Sequence, residues 1–272
     1  MRYGWVLPYG DARTAADLAA LAERHRWDGF FVWEAVWGID AWVALAAAAM
    51  RTERIRLGTM LTPLPRRRPW DVAGQVATLD NLSGGRTILS VGLGAPDDRW
   101  WLFEDDPGRR VRAERLDEGL ELMGRLWSGE PVSFEGAHYR ARPADRLVPP
   151  PPVQRPRAPV WVVGAWPRPK SMRRAAAWDG WIPNYAPREG EGELTPELLR
   201  AGVEWVRERR AAAGLTMDGY DVVAEGTTTD PGEPAEWAAA GATWWLEADW
   251  SSMDPDAVRE AARARLSAGP PR

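Results

Sequence analysis

Glu34 follows the apolar run Gly29–Trp33 and sits among Val32, Trp33, Ala35 and Val36. Burial there would raise its pKa and suit it to proton transfer, and a salt bridge to a nearby arginine is the competing fate. Gly92 and Gly94 come directly after the run Thr87–Val91. Glycine just past a strand lets a ligand approach the backbone closely, and it equally suits an ordinary turn. Gly164 to Ser171 (GAWPRPKS) leads from another apolar run into a helix start. Free N–H groups at such a start, with Arg168, Lys170 and Ser171 near, suit a phosphate. The alternative is a plain strand-to-helix turn with solvated basic residues. Trp33, Trp37, Trp100, Trp101 and Trp166 fall near predicted strand ends and suit a flat, apolar pocket for a ring or a substrate. Trp42, Trp127, Trp178 and Trp205 fall in predicted helices and read as packing. Cysteine is absent, which excludes thiolate catalysis, and the two histidines, His25 and His138, are too separate to suggest a metal site.

The elements that must position these residues alternate between short apolar runs and amphipathic segments. Strands are predicted at Tyr3–Leu7, Gly29–Trp33, Ile55–Leu61, Thr87–Val91, Val160–Gly164, Gly180–Pro183, Tyr220–Gly226 and Ala242–Glu247. Thr14 is read as the N-cap of the first helix, and Asp40–Met50 as a helix apolar nearly all round. Pro69 suits a first helical turn, and Ser83-Gly84-Gly85 supplies its stop. A helix through Leu116, Leu120, Met123 and Trp127 follows, then a small hairpin at Phe134–Arg140 and a proline-rich connector at Val148–Pro159. Thr195-Pro196 and Asp254-Pro255 each open a helix. Eight strands alternating with helices predict an α/β fold, a (β/α)8 TIM barrel. An open doubly wound sheet is the weaker alternative, since no Gly-x-Gly-x-x-Gly follows the first strand.

A length of 272 residues suits one barrel domain spanning 1–272. A net charge of −4 gives no electrostatic case for nucleic acid. No signal peptide or membrane-spanning run is read, so a cytoplasmic protein is expected. The apolar Asp40–Met50 helix suits a homodimer face, or a cover by the chain's own loops.

The block RTERIRLGTMLTPLPRRRPWDVAGQVATLDNLSGGRTILSVGLG (51–94) resembles the bacterial luciferase-like, flavin-dependent oxidoreductases. So do Asp117–Glu121, Leu126–Gly129, Phe134–Tyr139, Pro159–Gly164 and Ala175–Trp181. The resemblance implies a (β/α)8 barrel that binds FMN or coenzyme F-420, a deazaflavin, at the carboxyl ends of its strands, commonly as a dimer. It implies a non-proline cis peptide within Thr59-Met60-Leu61 that props the ring, room for ring or ribityl chain at Gly92 and Gly94, and a phosphate cradle at Gly164 and Ala165 with Arg168 beside it. Arg66-Arg67-Arg68 would meet an anionic cofactor tail, or simply face solvent. Where many relatives carry Asp-His, this chain has Glu34-Ala35, which leaves Glu34 as the candidate catalytic group. Trp33, Trp37, Trp100 and Trp166 are the candidate substrate contacts. Gly241–Glu247 (GATWWLE) and the WPRP loop are similar to actinobacterial members that use coenzyme F-420. The function implied is hydride transfer between coenzyme F-420 and a small organic substrate. An FMN-dependent monooxygenase and a non-catalytic flavin-binding barrel are the alternatives.

Overall fold

The computed structural model describes residues 1–95, 100–143, 150–187, 192–230 and 232–271, with the Trp101 side chain also outside the described set. The Trp101 expectation and the start of the proline-rich connector therefore lie outside the described residues. Strands β1 (Arg2–Leu7), β2 (Gly29–Val32), β3 (Arg56–Thr59) and β4 (Thr87–Val91) are each followed by a helix. These are α1 (Ala12–Arg24), α2 (Ala41–Ala49), α3 (Pro69–Ser83) and α4 (Arg109–Trp127). A two-stranded excursion, β5 (Phe134–Glu135) with β6 (Arg140–Ala141), interrupts the alternation where the hairpin is predicted. It resumes with β7 (Val160–Trp166), α5 (Pro169–Ala177), β8 (Gly180–Tyr185) and α6 (Pro196–Ala212). The chain ends with β9 (Asp221–Gly226), α7 (Glu233–Ala239), β10 (Trp244–Ala248) and α8 (Pro255–Ala268). Eight parallel strands close in the order β1-β10-β9-β8-β7-β4-β3-β2, so the chain is a (β/α)8 barrel.

The caps follow local chemistry. Asp40, Thr195 and Asp254 accept backbone N–H groups at the starts of α2, α6 and α8. Gly84 takes the left-handed conformation that ends α3, at φ 66°. One cap differs from expectation. Asp11, not Thr14, caps α1, because its carboxylate accepts the N–H groups of Arg13 and Thr14 together with the Thr14 hydroxyl. β3 stops at Thr59, one residue before a cis peptide between Met60 and Leu61. The described part of the connector is stitched to β4 by Gln154, which donates to Asp80 at 2.7 Å and to the Thr87 carbonyl at 2.8 Å.

Side chains along a strand alternate between the barrel interior and the helix layer. The interior holds Phe31, Trp161 and Trp244, with Phe31 and Trp161 centroids 5.3 Å apart and Trp161 and Trp244 also 5.3 Å apart. Rings of this size fit because glycine stands opposite them. A Cβ at Gly4 or Gly29 would come within 2.9 Å or less of Phe31. Below the rings, at the amino ends of the strands, Arg2 pairs with Asp221, and the Trp161 indole donates to the same carboxylate at 3.1 Å. Burial pushes the Asp221 carboxyl above its usual range even with Arg2 beside it. The amino end is thus plugged by aromatic rings and an ion pair, and any cavity must open at the carboxyl end.

Gly58 offers the sharpest check on this packing. A Cβ there would lie 2.3 Å from the Ile88 carbonyl and 3.1 Å from Phe31. Gly58→Ala is expected to cost on the order of 1–3 kcal/mol in denaturant unfolding, and an unchanged midpoint would show that the interior is not filled as described.

Candidate active site

At the carboxyl ends of the strands the barrel opens into a pocket of about 690 Å³. Its lining continues the interior-facing positions of each strand. Trp33 extends the face of Gly29 and Phe31, Met60 that of Gly58, and Ala165 that of Trp161 and Val163. Met60, Leu61, Gly92, Gly94 and Ala165 form one side of this wall. Gly92 is needed for room, since a Cβ would lie 3.0 Å from Leu61 and 3.2 Å from Val163. Gly94 has φ 79°, a conformation that favours glycine. Ser171, in the first turn of α5, accepts the Ala165 N–H at 2.9 Å and also faces the pocket.

Several expected contacts lie elsewhere. Gly164 faces outward, where a Cβ would come within 2.6 Å of the Trp181 indole and 3.0 Å of Ala175. Its carbonyl accepts the Trp181 N–H at 2.9 Å, so substitution there would disturb packing before it reached the pocket. Thr59 is likewise outward and buried, with its hydroxyl directed to the Ser90 carbonyl. Arg168 donates one guanidinium nitrogen to the Pro187 carbonyl and is not among the pocket's lining residues. Trp166 packs against the outer core, and Trp100 is buried with its indole N–H on the Ala95 carbonyl at 3.2 Å. Trp37 is 86% exposed and stacks on Phe103 outside the pocket. Of the four tryptophans expected to contact substrate, Trp33 lines the pocket.

Glu34 is buried beside the pocket and faces a smaller neighbouring cavity of about 310 Å³. Its Oε2 accepts the Trp42 indole N–H at 3.1 Å and the Thr62 hydroxyl, and its Oε1 pairs with Arg67. Thr62 lies 2.9 Å from the Thr59 hydroxyl, which reaches the Ser90 carbonyl. The carboxylate therefore braces the ends of β2, β3 and β4, the salt-bridge fate of the two weighed from sequence. Burial pushes the Arg67 guanidinium below its ordinary value. Arg66 reaches Glu104 at 3.5 Å and lies over the Trp100 ring, so two of the three consecutive arginines are committed within the protein.

Among the described residues, the carboxylate that does line the pocket is Glu225, at the end of β9. It stands on the same face as the interior residue Val223, two positions earlier. Barrel atoms surround it, yet solvent reaches it through the pocket's open mouth. That crowding raises its pKa above the usual carboxylate value, and a hydrogen bond from Trp250 opposes the rise. The Trp250 indole donates to Glu225 Oε1 at 2.9 Å, and its ring lies edge-on to Trp33 with centroids 5.7 Å apart. The sequence carried the signal, a charge at the last inward position of a strand whose other charge, Asp221, stands at its amino end.

A family model described as luciferase-like monooxygenase matches residues 1–269. The chain belongs to the luciferase-like monooxygenase family. An F420-dependent glucose-6-phosphate dehydrogenase of Nakamurella multipartita is 35% identical over 228 residues, covering 77% of this chain and 61% of that protein. The chain thus spans about three fifths of that relative's length. Among solved structures, the monooxygenase RslO1 of Streptomyces bottropensis superposes with a TM-score of 0.76 at 23% identity, covering 98% of each chain. The coenzyme F420 dependent tetrahydromethanopterin reductase of Methanopyrus kandleri gives 0.73 at 19% identity, covering 96% of this chain and 97% of that one. At these identities the two structures establish a shared fold.

Two outcomes test the site of this family member. Arg67→Met leaves Glu34 buried without its cation and should cost about 3–5 kcal/mol in chemical denaturation; a loss below about 1 kcal/mol would mean that the pair does not brace the strand ends. A carboxyl that keeps its proton longer in the folded than in the unfolded state loses stabilisation as pH rises between its two pKa values. The wild type should therefore lose stability relative to Glu225→Gln as pH rises from the ordinary carboxylate range to neutrality, with the gap closing in acid. Parallel stability–pH curves would remove the raised pKa.

Proposed function

We propose that this protein is a coenzyme F-420-dependent oxidoreductase that transfers hydride to or from a small organic substrate within the carboxyl-end pocket of a single barrel domain. The observation that carries the reading is that pocket, walled by Leu61, Gly92, Gly94 and Ala165, in a chain 35% identical to an F420-dependent dehydrogenase. The site residues fit a flat, phosphate-bearing cofactor. Gly92 and Gly94 leave its wall without side chains, and Ser171, beside Ala165 at the end of β7, lies in the first turn of α5, where N–H groups favour a phosphate. Leu61 and Met60 supply an apolar support for a ring. When bound, the deazaflavin supplies two electrons and a hydrogen as hydride. The chain's own work is alignment and exclusion of bulk water, with Trp33 and Ile182 as apolar walls.

The family description favours a second reading, an FMN-dependent monooxygenase. The same proposal holds the protein to be cytoplasmic; no described helix is long and apolar enough to cross a membrane. It also pairs two copies through α2, where Val43 is 60% and Met50 71% exposed.

Equilibrium titration of the purified protein with coenzyme F-420 and with FMN tests the cofactor. Binding of F-420 with micromolar or tighter affinity, and of FMN at least about tenfold (1.4 kcal/mol) more weakly, is expected. The reverse order moves the monooxygenase to first place, and binding of neither removes the redox reading.

A further inference from the structure

The charges lining the pocket are divided between its sides. The cationic side chains of the described lining, Arg109 and Arg112, come from α4 beside β4. Arg112 is already spent on the Leu93 and Gly94 carbonyls, at 3.2 and 2.8 Å, and on Asp106. That is the side of Gly92 and Gly94, the glycine wall of the cofactor site. The opposite arc runs from β9 through β10 and β1 to β2. Its described lining is Glu225, Trp250 and Trp33, with no cation among them. Tyr9, after β1, packs edge-on against Trp33 at 5.3 Å, and Trp33 against Trp250 at 5.7 Å. The three rings support one another, and the last of them holds Glu225 by a single hydrogen bond. No other hydrogen bond to that carboxyl occurs among the described residues, so its second oxygen is free for a ligand.

We propose that Glu225 is the proton-transferring residue for an uncharged carbonyl or alcohol substrate seated against Trp33 and Trp250, and that this arc rejects sugar phosphates. The proposal rests on the hydride-transfer reading above. A phosphate on this arc would meet two indoles and a carboxyl, with no cation among the arc's described residues to offset its desolvation. A protonated Glu225 offers it one donor, and an ionised one repels it. An uncharged carbonyl suits the same surface, since its oxygen accepts the Glu225 O–H while its apolar groups pack on the rings. In the reducing direction, hydride from the reduced deazaflavin adds to the carbonyl carbon and the C–O π pair moves to oxygen. That oxygen takes the Glu225 proton. Glu225 would regain a proton from water through the pocket mouth, balanced by the proton that the cofactor, when bound and oxidised by loss of hydride, would give up to water. The net change is carbonyl plus reduced cofactor to alcohol plus oxidised cofactor. The other titratable groups among the described lining are Tyr185, Arg109 and Arg112.

The test compares the wild type with Glu225→Gln in three measurements. These are equilibrium binding of coenzyme F-420, steady-state turnover of a panel of neutral ketones and aldehydes against glucose 6-phosphate, and the infrared C=O band of a protonated carboxyl at neutral pH. The wild type is expected to show the band and to turn over neutral carbonyls in preference to the sugar phosphate. Glu225→Gln should bind F-420 within about twofold of wild type (a 0.4 kcal/mol difference), lack the band, and lose about 10²–10⁴-fold in kcat. Equal kcat in the two proteins, or better turnover of glucose 6-phosphate than of any neutral carbonyl, overturns the proposal. A wild type that shows the band but binds no F-420 overturns the cofactor reading, and the proposal with it. A wild type that binds F-420 but lacks the band removes Glu225 alone as the acid.

Discussion

A side chain on a closed parallel barrel points either into the interior or into the helix layer, and the two-residue period of the strand decides which. Everything at this protein's carboxyl-end pocket follows from that alternation. Trp33, Met60, Ala165 and Glu225 each continue the interior face of their strand into the cavity. Their neighbours Gly164 and Thr59 face outward and belong to packing. The amino end is closed by Phe31, Trp161, Trp244 and the Arg2–Asp221 pair, so the unfilled part of the barrel lies at the other end. Chemistry at the carboxyl end and stability at the amino end is the division that barrels of this class show generally.

Below the pocket's rim a polar chain ties three strand ends together. Glu34 after β2 binds Thr62 after β3, Thr62 meets Thr59, and Thr59 reaches the Ser90 carbonyl on β4. Arg67 and Trp42 complete the set around the carboxylate. The carboxylate is held by a cation and two further donors and faces the smaller cavity, not the larger one. Such a group fixes the geometry of the pocket floor rather than exchanging protons with a ligand. Glu225 has the opposite surroundings. Among the described residues it has one donor, Trp250, and it faces the open cavity. Two carboxylates at strand ends of one barrel are thus given different work by their partners, as environment rather than residue type dictates.

Among its described lining residues the pocket is electrostatically one-sided. Its cations lie with α4, against the glycine wall, and its acid lies across the cavity between two indoles. A bound molecule with an anionic end and a flat uncharged end would be oriented by that asymmetry before any specific contact formed. The glycines at 92 and 94 serve the same end sterically, since a Cβ at either would press on Leu61, Val163 or Pro63.

The sequence by itself determined the barrel. Its evidence was the spacing of the apolar runs, Pro69, Pro196 and Pro255 in first turns, and the glycine stop at Gly84, all of which act within a few residues and need no tertiary context. It also located the pocket's glycine wall, because Gly92 and Gly94 directly follow a strand. What only the tertiary structure decided was direction and partnership. Whether Trp166 enters the cavity depends on strand parity, and whether Trp100 does depends on how its loop folds back on the Ala95 carbonyl, and both went to packing. Whether Glu34 or Glu225 faces the pocket depends on Arg67, Thr62 and Trp250. These lie 33, 28 and 25 residues away from the carboxylates they hold and are joined to them only when the barrel closes. The reason is that a side chain's charge state and reach are set by neighbours in space, and those neighbours are not encoded by local spacing.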